Sequence, residues 1–180
     1  AGVRQEDEDV FNATHACLRE LVGEGLIDGV RVDHPDGLTD PFGYLTRLRE
    51  LIGQDTWLIV EKILAADEPL DPRLNIHGTT GYDALREFDG VFVDTSAADT
   101  LGELARKYSG CTWDADDVEA AEWELKARIA EEELAAEVRR LARAVRRDSR
   151  ADTDLAELTE VLVALVSRMP VYRADYRSLS

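Results

Sequence analysis

The chain has 180 residues and a formal net charge of −17, with 33% charged and 44% apolar residues. This negative balance argues against nucleic acids and anionic membranes as partners, because their phosphates would repel it, whereas a neutral sugar remains compatible. No apolar run reaches the roughly 18 residues that a membrane span needs. The N-terminus lacks the apolar core of a signal peptide, and Cys17 and Cys111 have no spacing typical of metal sites or disulfide frameworks. We therefore expect a cytoplasmic protein with reduced thiols and neither cofactor nor metal; its oligomeric state stays open.

The first part of the chain alternates between helix and strand patterns. Residues 10–23 carry apolar side chains at helical spacing, and LIDGVRVD (26–33) is a β-branched stretch that predicts a strand. A helix is predicted over 41–52, with Asp40 as its N-cap, and WLIVEKIL (57–64) predicts a second strand. The short connections favour two parallel strands with a right-handed crossover.

The middle of the chain gives weaker signals. Residues 65–80 have the composition of a loop, and residues 81–88 predict a short helix. The stretch GVFVD (90–94) predicts a third extended segment.

The composition changes after residue 100. Residues 116–147 are rich in Ala, Glu, Arg and Leu and predict one long helix or a helix pair. A further helix is predicted to reach about Arg168, with its N-cap at Asp152 or Thr153. We expect these helices to pack together through Leu134, Val138, Leu141, Leu158 and Leu162.

Charged side chains mark the ends of both predicted strands. Alternate strand residues share a face, so Arg31 and Asp33 lie on the same side of the first strand. Asp33 ends that strand and Glu61 lies near the end of the next, so both carboxylates are expected at one edge of the sheet. A guanidinium beside Asp33 favours the ionised form that a nucleophile needs, although a purely structural pair has the same pattern. Two such carboxylates suit retaining glycoside chemistry, with one as nucleophile and the other as acid and then base.

The sequences around these residues are similar to those of a known enzyme class. DGVRVDHPDGL resembles the fourth-strand motif of the α-amylase superfamily (glycoside hydrolase family 13), in which G-x-R-x-D carries the nucleophile, and VEKIL resembles its fifth-strand acid/base motif. More closely, DGVRVDHPDGLTDPFGYLTRLRE, VEKIL, GTTGYD and PVYRADY resemble the maltooligosyltrehalose synthase family, and THACLRELV also fits. The resemblance extends from about Val10 to Tyr176.

The resemblance implies an α/β fold, a partial (β/α)8 TIM barrel of about strands 4 to 6 followed by an α-helical insertion. Residues 1–99 would be the barrel segment and residues 100–180 the insertion. Two superfamily motifs do not occur in this sequence, the earlier one with Asp and His and the later one with the third catalytic carboxylate. The chain is therefore expected to be an internal segment, inactive by itself.

The implied activity is an isomerisation. The reducing-end α-1,4 linkage of a maltooligosaccharide becomes an α,α-1,1 linkage by retaining transglycosylation within one site, with Asp33 as nucleophile and Glu61 as acid/base. Six further residues are candidates for binding the sugar or shaping the site: Arg31, His34, Asp36, Lys62, Tyr82 and Asp83.

Several candidates also have structural interpretations. Lys62 points away from Glu61 in a regular strand and could pair with an acid, while His34 could be a solvated loop residue. Tyr82 could belong to the core, and Asp83 could cap the short helix. His15 and His77 are interpreted as structural.

Two other functions remain open from the sequence. The first is another hydrolase or transglycosylase that acts on α-1,4-glucans and shares Asp33 and Glu61. The second is a helical interaction module without catalysis.

Overall fold

The computed structural model describes residues 3–110, 115–149 and 153–173. Contacts divide the chain into two units, the first comprising Ala1–Val93 and the chain from Val171, the second Asp94–Pro170. Across the described residues there are eight α-helices and three strands: α1 (Glu8–Thr14), α2 (Ala16–Gly23), β1 (Gly29–Val32), α3 (Pro41–Ile52), β2 (Trp57–Val60), β3 (Gly78–Thr79), α4 (Tyr82–Gly90), α5 (Ala98–Ser109), α6 (Ala115–Glu132), α7 (Ala135–Ser149) and α8 (Leu155–Ser167).

The first unit is built on a parallel sheet with strand order β1-β2-β3. Its core lies where α3 packs on the sheet, and the side chains of Leu58 and Val60 in β2 are fully buried. From α3, Leu45 and Leu48 are each only 1% exposed. The strand–helix–strand unit with parallel strands was correctly predicted, and both strands are shorter than their apolar runs.

Local capping explains the boundaries of α3. The Asp40 carboxylate accepts a hydrogen bond from the Gly43 N–H at 2.9 Å, which satisfies one of the unpaired amides of the first turn. A Cβ at Gly43 would lie 2.3 Å from Asp40 Oδ2, so a larger residue here would make the Asp40 side chain shift. At the other end, Gly53 has a φ of 81°, a conformation that glycine adopts without strain.

The predicted helix over residues 10–23 is two helices, α1 and α2, separated at His15. The Thr14 hydroxyl donates to the carbonyls of Val10 at 2.8 Å and Phe11 at 3.3 Å. Such bonds from a side chain to the preceding turn bend helices. These residues are helical, as predicted, but the prediction of one continuous helix was wrong.

The third strand is not where the apolar pattern placed it. Gly90 ends α4 and residues 91–92 form a turn, in which Phe92 N–H donates to Asp89 O at 3.2 Å. Phe92 is 88% exposed. The strand is instead Gly78–Thr79, whose residues pair with β2. A β-branched run without a neighbouring backbone to bond does not form a strand, so this prediction was wrong.

The predicted helix pair of the second unit is confirmed as α6 and α7, which pack with α8. Val138, Ala142 and Leu162 are buried there, with Leu158 packed against them. Leu134 and Leu141 are 48% and 47% exposed, so their predicted role in this contact was wrong. The actual contact uses the small Ala142 in place of the neighbouring leucine.

The N-cap of α8 is Asp154, whose carboxylate accepts from the Ala156 N–H. Thr153 is therefore not the cap, and Asp152 lies outside the described residues. None of the helices within 3–110, 115–149 or 153–173 combines the length and apolar character needed to cross a membrane. The predicted division into residues 1–99 and 100–180 stays a prediction.

Candidate active site

Asp33 and Glu61 each follow the last residue of a strand. Val32 of β1 is paired with Val60 of β2 in the parallel register, so the next residues along both strands emerge at the same edge. The Glu61 N–H donates to Val32 O at 2.7 Å, which extends the pairing to the start of the site. The prediction that both carboxylates end adjacent parallel strands is confirmed.

The Glu61 carboxylate is hydrogen-bonded to the backbone that follows Asp33. The His34 N–H donates to Glu61 Oε2 at 3.2 Å. His34 has a φ of 45° and a ψ of 55°, a left-handed conformation that few residues other than glycine adopt readily. Gly37 faces the His34 ring closely, since a Cβ there would lie 2.7 Å from His34 Cδ2. The turn after β1 thus brings a backbone donor to the candidate acid/base.

Arg31 contacts the candidate nucleophile directly. Its Nη1 lies 2.7 Å from Asp33 Oδ1, as their shared strand face predicted. The two side chains are 47% and 74% exposed, so the pair contributes little to folding by itself. Its contribution to the site is to place a fixed positive charge beside the carboxylate.

Asp36 and Lys62 form a buried ion pair. Lys62 Nζ donates to both carboxylate oxygens of Asp36, at 3.0 Å and 3.2 Å, and each side chain is 6% exposed. Lys62 therefore pairs with an acid, as its structural interpretation predicted. A contact of either residue with substrate stays a prediction.

Tyr82 and Asp83 lie at the start of α4. Tyr82 is 48% exposed, so it does not belong to the core, and together with Arg31 it lines an open cavity of about 510 Å³. Asp83 accepts a hydrogen bond from the Thr79 hydroxyl at 2.6 Å, and this bond lowers the pKa of the Asp83 carboxyl. Contact with substrate stays a prediction for both residues.

Two further cavities lie around the carboxylates. One of about 390 Å³ is lined by Arg31, Asp33 and His34, among others. The other, of about 230 Å³, is lined by His34, Asp36, Glu61, Ile63 and Tyr172. His34 borders both, so it stands between the cavity of the nucleophile and that of the acid/base.

Tyr172 and Arg173 were not among the sequence candidates. The Tyr172 ring meets the His34 ring edge-on, with centroids 6.5 Å apart, and Arg173 donates to backbone carbonyls of the loop after β1. Both belong to PVYRADY, one of the stretches that resemble the maltooligosyltrehalose synthases. This stretch was the signal that could have identified them. Its residues from 174 onward lie outside the described residues.

The two histidines interpreted as structural form hydrogen bonds to groups other than Asp33 and Glu61. His15 is 9% exposed, and its Nε2 lies 3.0 Å from the Tyr44 hydroxyl. His77 accepts from the Leu58 N–H at 2.9 Å through Nδ1 and stacks on Trp57 at 4.7 Å. Their partners lie far along the chain, so sequence inspection could not name them.

The chain is similar to known proteins over nearly its whole length. It is 47% identical over 176 residues to proteins from two Mycobacterium tuberculosis strains that are provisionally named maltooligosyl trehalose synthase. This alignment covers 98% of the chain and 22% of each relative. No protein-family model matches the chain.

The chain is also similar to solved structures of this kind of enzyme. A maltooligosyltrehalose synthase from Arthrobacter ramosus is 39% identical with a TM-score of 0.75, and a mutant of it is 37% identical with a TM-score of 0.80. Each comparison covers 96% of this chain and 21% of the other. A glycosyltrehalose synthase labelled DSM5389 is 28% identical with a TM-score of 0.77, over 98% of this chain and 22% of its own. The predicted resemblance is thus confirmed: the chain is similar to a segment of the maltooligosyltrehalose synthases and spans about a fifth of their length.

Proposed function

We propose that this sequence forms part of the catalytic (β/α)8 barrel, about strands 4 to 6, of an isomerase that converts maltooligosaccharides into trehalose-terminated products. The observation that carries the proposal is the joint position of Asp33 and Glu61. They follow paired residues of adjacent parallel strands, and the backbone N–H after Asp33 donates to Glu61. Parallel α/β barrels hold their active sites at this end of the strands.

In this proposal the two carboxylates have the roles that the resemblance implies. An Asp33 carboxylate oxygen attacks the anomeric carbon of the sugar next to the reducing-end glucose. The bond from that carbon to the glycosidic oxygen breaks as the oxygen takes a proton from Glu61. Asp33 is then esterified to the glycosyl group, Glu61 is ionised, and the released glucose remains in the site.

The second half of the reaction reverses these roles. The anomeric hydroxyl of the turned glucose transfers its proton to Glu61 while its oxygen bonds to the same anomeric carbon. The bond to Asp33 breaks, and the carboxylate is restored. Two displacements retain the configuration and give an α,α-1,1 linkage with no net addition of water, provided that water is excluded from the intermediate.

The other candidate residues have supporting roles in this proposal. Arg31 holds and orients the Asp33 carboxylate, which its 2.7 Å contact supports. His34 and Tyr82 border the cavities near the carboxylates and are assigned to sugar contacts. Asp36 and Lys62 are assigned to holding the loop after β1 in place, which the burial of their ion pair supports. Asp83 is assigned to holding the start of α4 beside Tyr82.

The test uses a full-length protein that carries this sequence, incubated with maltopentaose. We expect the reducing ends to disappear, without free glucose, and a trehalose-terminated product to form. Asp33→Asn and Glu61→Gln should each lower the rate by at least about a thousandfold, because groups that act as a unit lose most of their effect when one is removed.

Thr46→Ala, at an exposed position of α3, is the control and should leave the rate unchanged. Release of shorter reducing sugars would favour a hydrolase of the same superfamily and contradict the isomerase. A fully active Asp33→Asn variant would overturn the assignment of the nucleophile.

A further inference from the structure

Arg173 binds the loop that follows β1 through three backbone carbonyls. Its Nη1 donates to Asp36 O at 2.5 Å and to Leu38 O, and its Nη2 donates to Thr39 O at 3.2 Å. A guanidinium carries five N–H donors in a rigid planar fork, so it can hold several carbonyls at once in a fixed arrangement. A lysine ammonium ion also has three donors, but it lacks this planar fork.

The loop held by Arg173 carries the groups that surround the carboxylates. Its first residue, His34, donates its N–H to Glu61, and Asp36 pairs with the buried Lys62. The turn is closed by two short-range bonds, from Gly37 N–H to His34 O at 3.1 Å and from Leu38 N–H to Pro35 O at 3.0 Å. Arg173 therefore binds the later residues of this loop, while its first residue, His34, donates to the candidate acid/base Glu61.

The two partners lie far apart in the sequence. Between Asp36 and Arg173 the chain forms the whole second unit, Asp94–Pro170, before it returns to the first. Tyr172, beside Arg173, meets the ring of His34. The returning segment thus makes two separate contacts with the loop, one with its backbone and one with its first side chain.

We propose that Arg173 is a positioning residue of the active site. It fixes the loop after β1 so that the His34 N–H stays bonded to Glu61 throughout the transfer. This inference rests on the proposed function, because it assigns a role in the reaction of Asp33 and Glu61. It assigns Arg173 no contact with substrate, so the variant should change the rate of the chemical step more than the binding of sugar.

The test uses the full-length protein with Arg173→Ala, Arg173→Lys and the wild type. We expect Arg173→Ala to lower kcat by about a hundredfold, the loss that a misplacement of about 1 Å can cause, with KM changed less than about threefold. Arg173→Lys should recover only part of kcat, since an ammonium ion retains the charge without the fork. Hydrogen exchange of peptides that span residues 34–39 should accelerate in Arg173→Ala.

Arg168→Ala is the matched control. This exposed arginine bonds a carbonyl of its own helix, Ala164 O at 3.2 Å, and lies in the second unit. It should change neither kcat nor the exchange of residues 34–39. Circular dichroism of each variant separates a local effect on the loop from a loss of folding.

The outcomes separate this inference from the proposed function. A wild-type protein that forms no trehalose-terminated product from maltopentaose overturns both. A wild type that forms it, with an Arg173→Ala variant of unchanged kcat, overturns only the role of Arg173. Equal losses of kcat in Arg173→Ala and Arg173→Lys, with unchanged exchange in the loop, also overturn it.

Discussion

Lys62 Nζ lies 3.0 Å from Asp36 Oδ1, and both side chains are 6% exposed. Lys62 follows the candidate acid/base Glu61, and Asp36 lies in the loop after the candidate nucleophile Asp33. The ion pair therefore joins the loop after β1 to the residue that follows Glu61. Because both charges are removed from water, each depends on the other for its stability in the folded chain.

Removal of one member of this pair should destabilise the first unit. Asp36→Asn is expected to lower the free energy of unfolding by about 3 kcal/mol, since it removes the charge of Asp36 from beside a buried ammonium ion. Asp36→Leu combined with Lys62→Met should recover a large part of this loss, because two apolar groups need no charge partner. Urea unfolding of each variant measures the differences, and an Asp36→Asn variant as stable as the wild type would contradict them.

Arg31→Gln should affect activity more than stability. Its pair with Asp33 is largely exposed, so the free energy of unfolding should change by less than about 1 kcal/mol. In a full-length protein we expect kcat/KM for maltopentaose to fall at least tenfold, equivalent to about 1.4 kcal/mol, because Asp33 loses its neighbouring charge. Arg140→Gln, which removes an exposed pair with Glu137 in α7, is the control and should not alter kcat/KM.

The 180-residue chain by itself should show no measurable turnover of maltooligosaccharides. It has two of the three catalytic carboxylates that the resemblance implies. When catalytic groups act as a unit, the absence of one removes most of the rate enhancement that they produce together. The measurement is the reducing value of maltopentaose after prolonged incubation with the chain. A fall in reducing value that Asp33→Asn abolishes would contradict the prediction.

The core of the second unit provides a stability test with a matched control. Leu162→Ala removes a side chain that is 9% exposed among Val138, Ala142 and Val163, and should cost about 2–5 kcal/mol. Leu165→Ala, at a position of the same helix that is 64% exposed, should change stability little. Thermal unfolding followed by circular dichroism compares the two variants. Similar losses in both would contradict the assignment of the buried face.

The bond between Thr79 and Asp83 predicts a dependence on pH. The Thr79 hydroxyl lowers the pKa of Asp83, so the folded chain holds its proton less tightly than the unfolded chain. The resulting stability is complete above the ordinary pKa of aspartate and is lost as the pH falls below about 4. Thr79→Val should therefore be less stable than the wild type at neutral pH, and the difference should narrow below about pH 4.

Thr80→Val is the control for this titration. The Thr80 hydroxyl is buried and has no hydrogen-bond partner among the described residues, so its loss removes no bond to a carboxylate. The stability difference between Thr80→Val and the wild type should not depend on pH. If the stability difference from the wild type narrows in acid for both variants, the bond from Thr79 to Asp83 is not the cause of the pH dependence.

Local signals in the sequence determined the strand–helix–strand unit and the two carboxylates at its edge. Asp40, Pro41 and Gly53 set the bounds of α3 through contacts within a few residues, which is why inspection of the sequence found them. The same holds for Arg31 and Asp33, because alternate side chains of any strand share a face. The resemblance to the maltooligosyltrehalose synthases also rested on short contiguous motifs.

Tertiary structure alone decided the contacts between distant residues. A strand needs a neighbouring backbone, so Gly78–Thr79 pairs with β2 while the more apolar residues 90–94 do not form a strand. Helix rotation is set by close packing, so Ala142 is buried and Leu141 exposed. The bonds of Arg173 to the loop after β1 form only when the chain returns from the second unit, and no local propensity encodes that return.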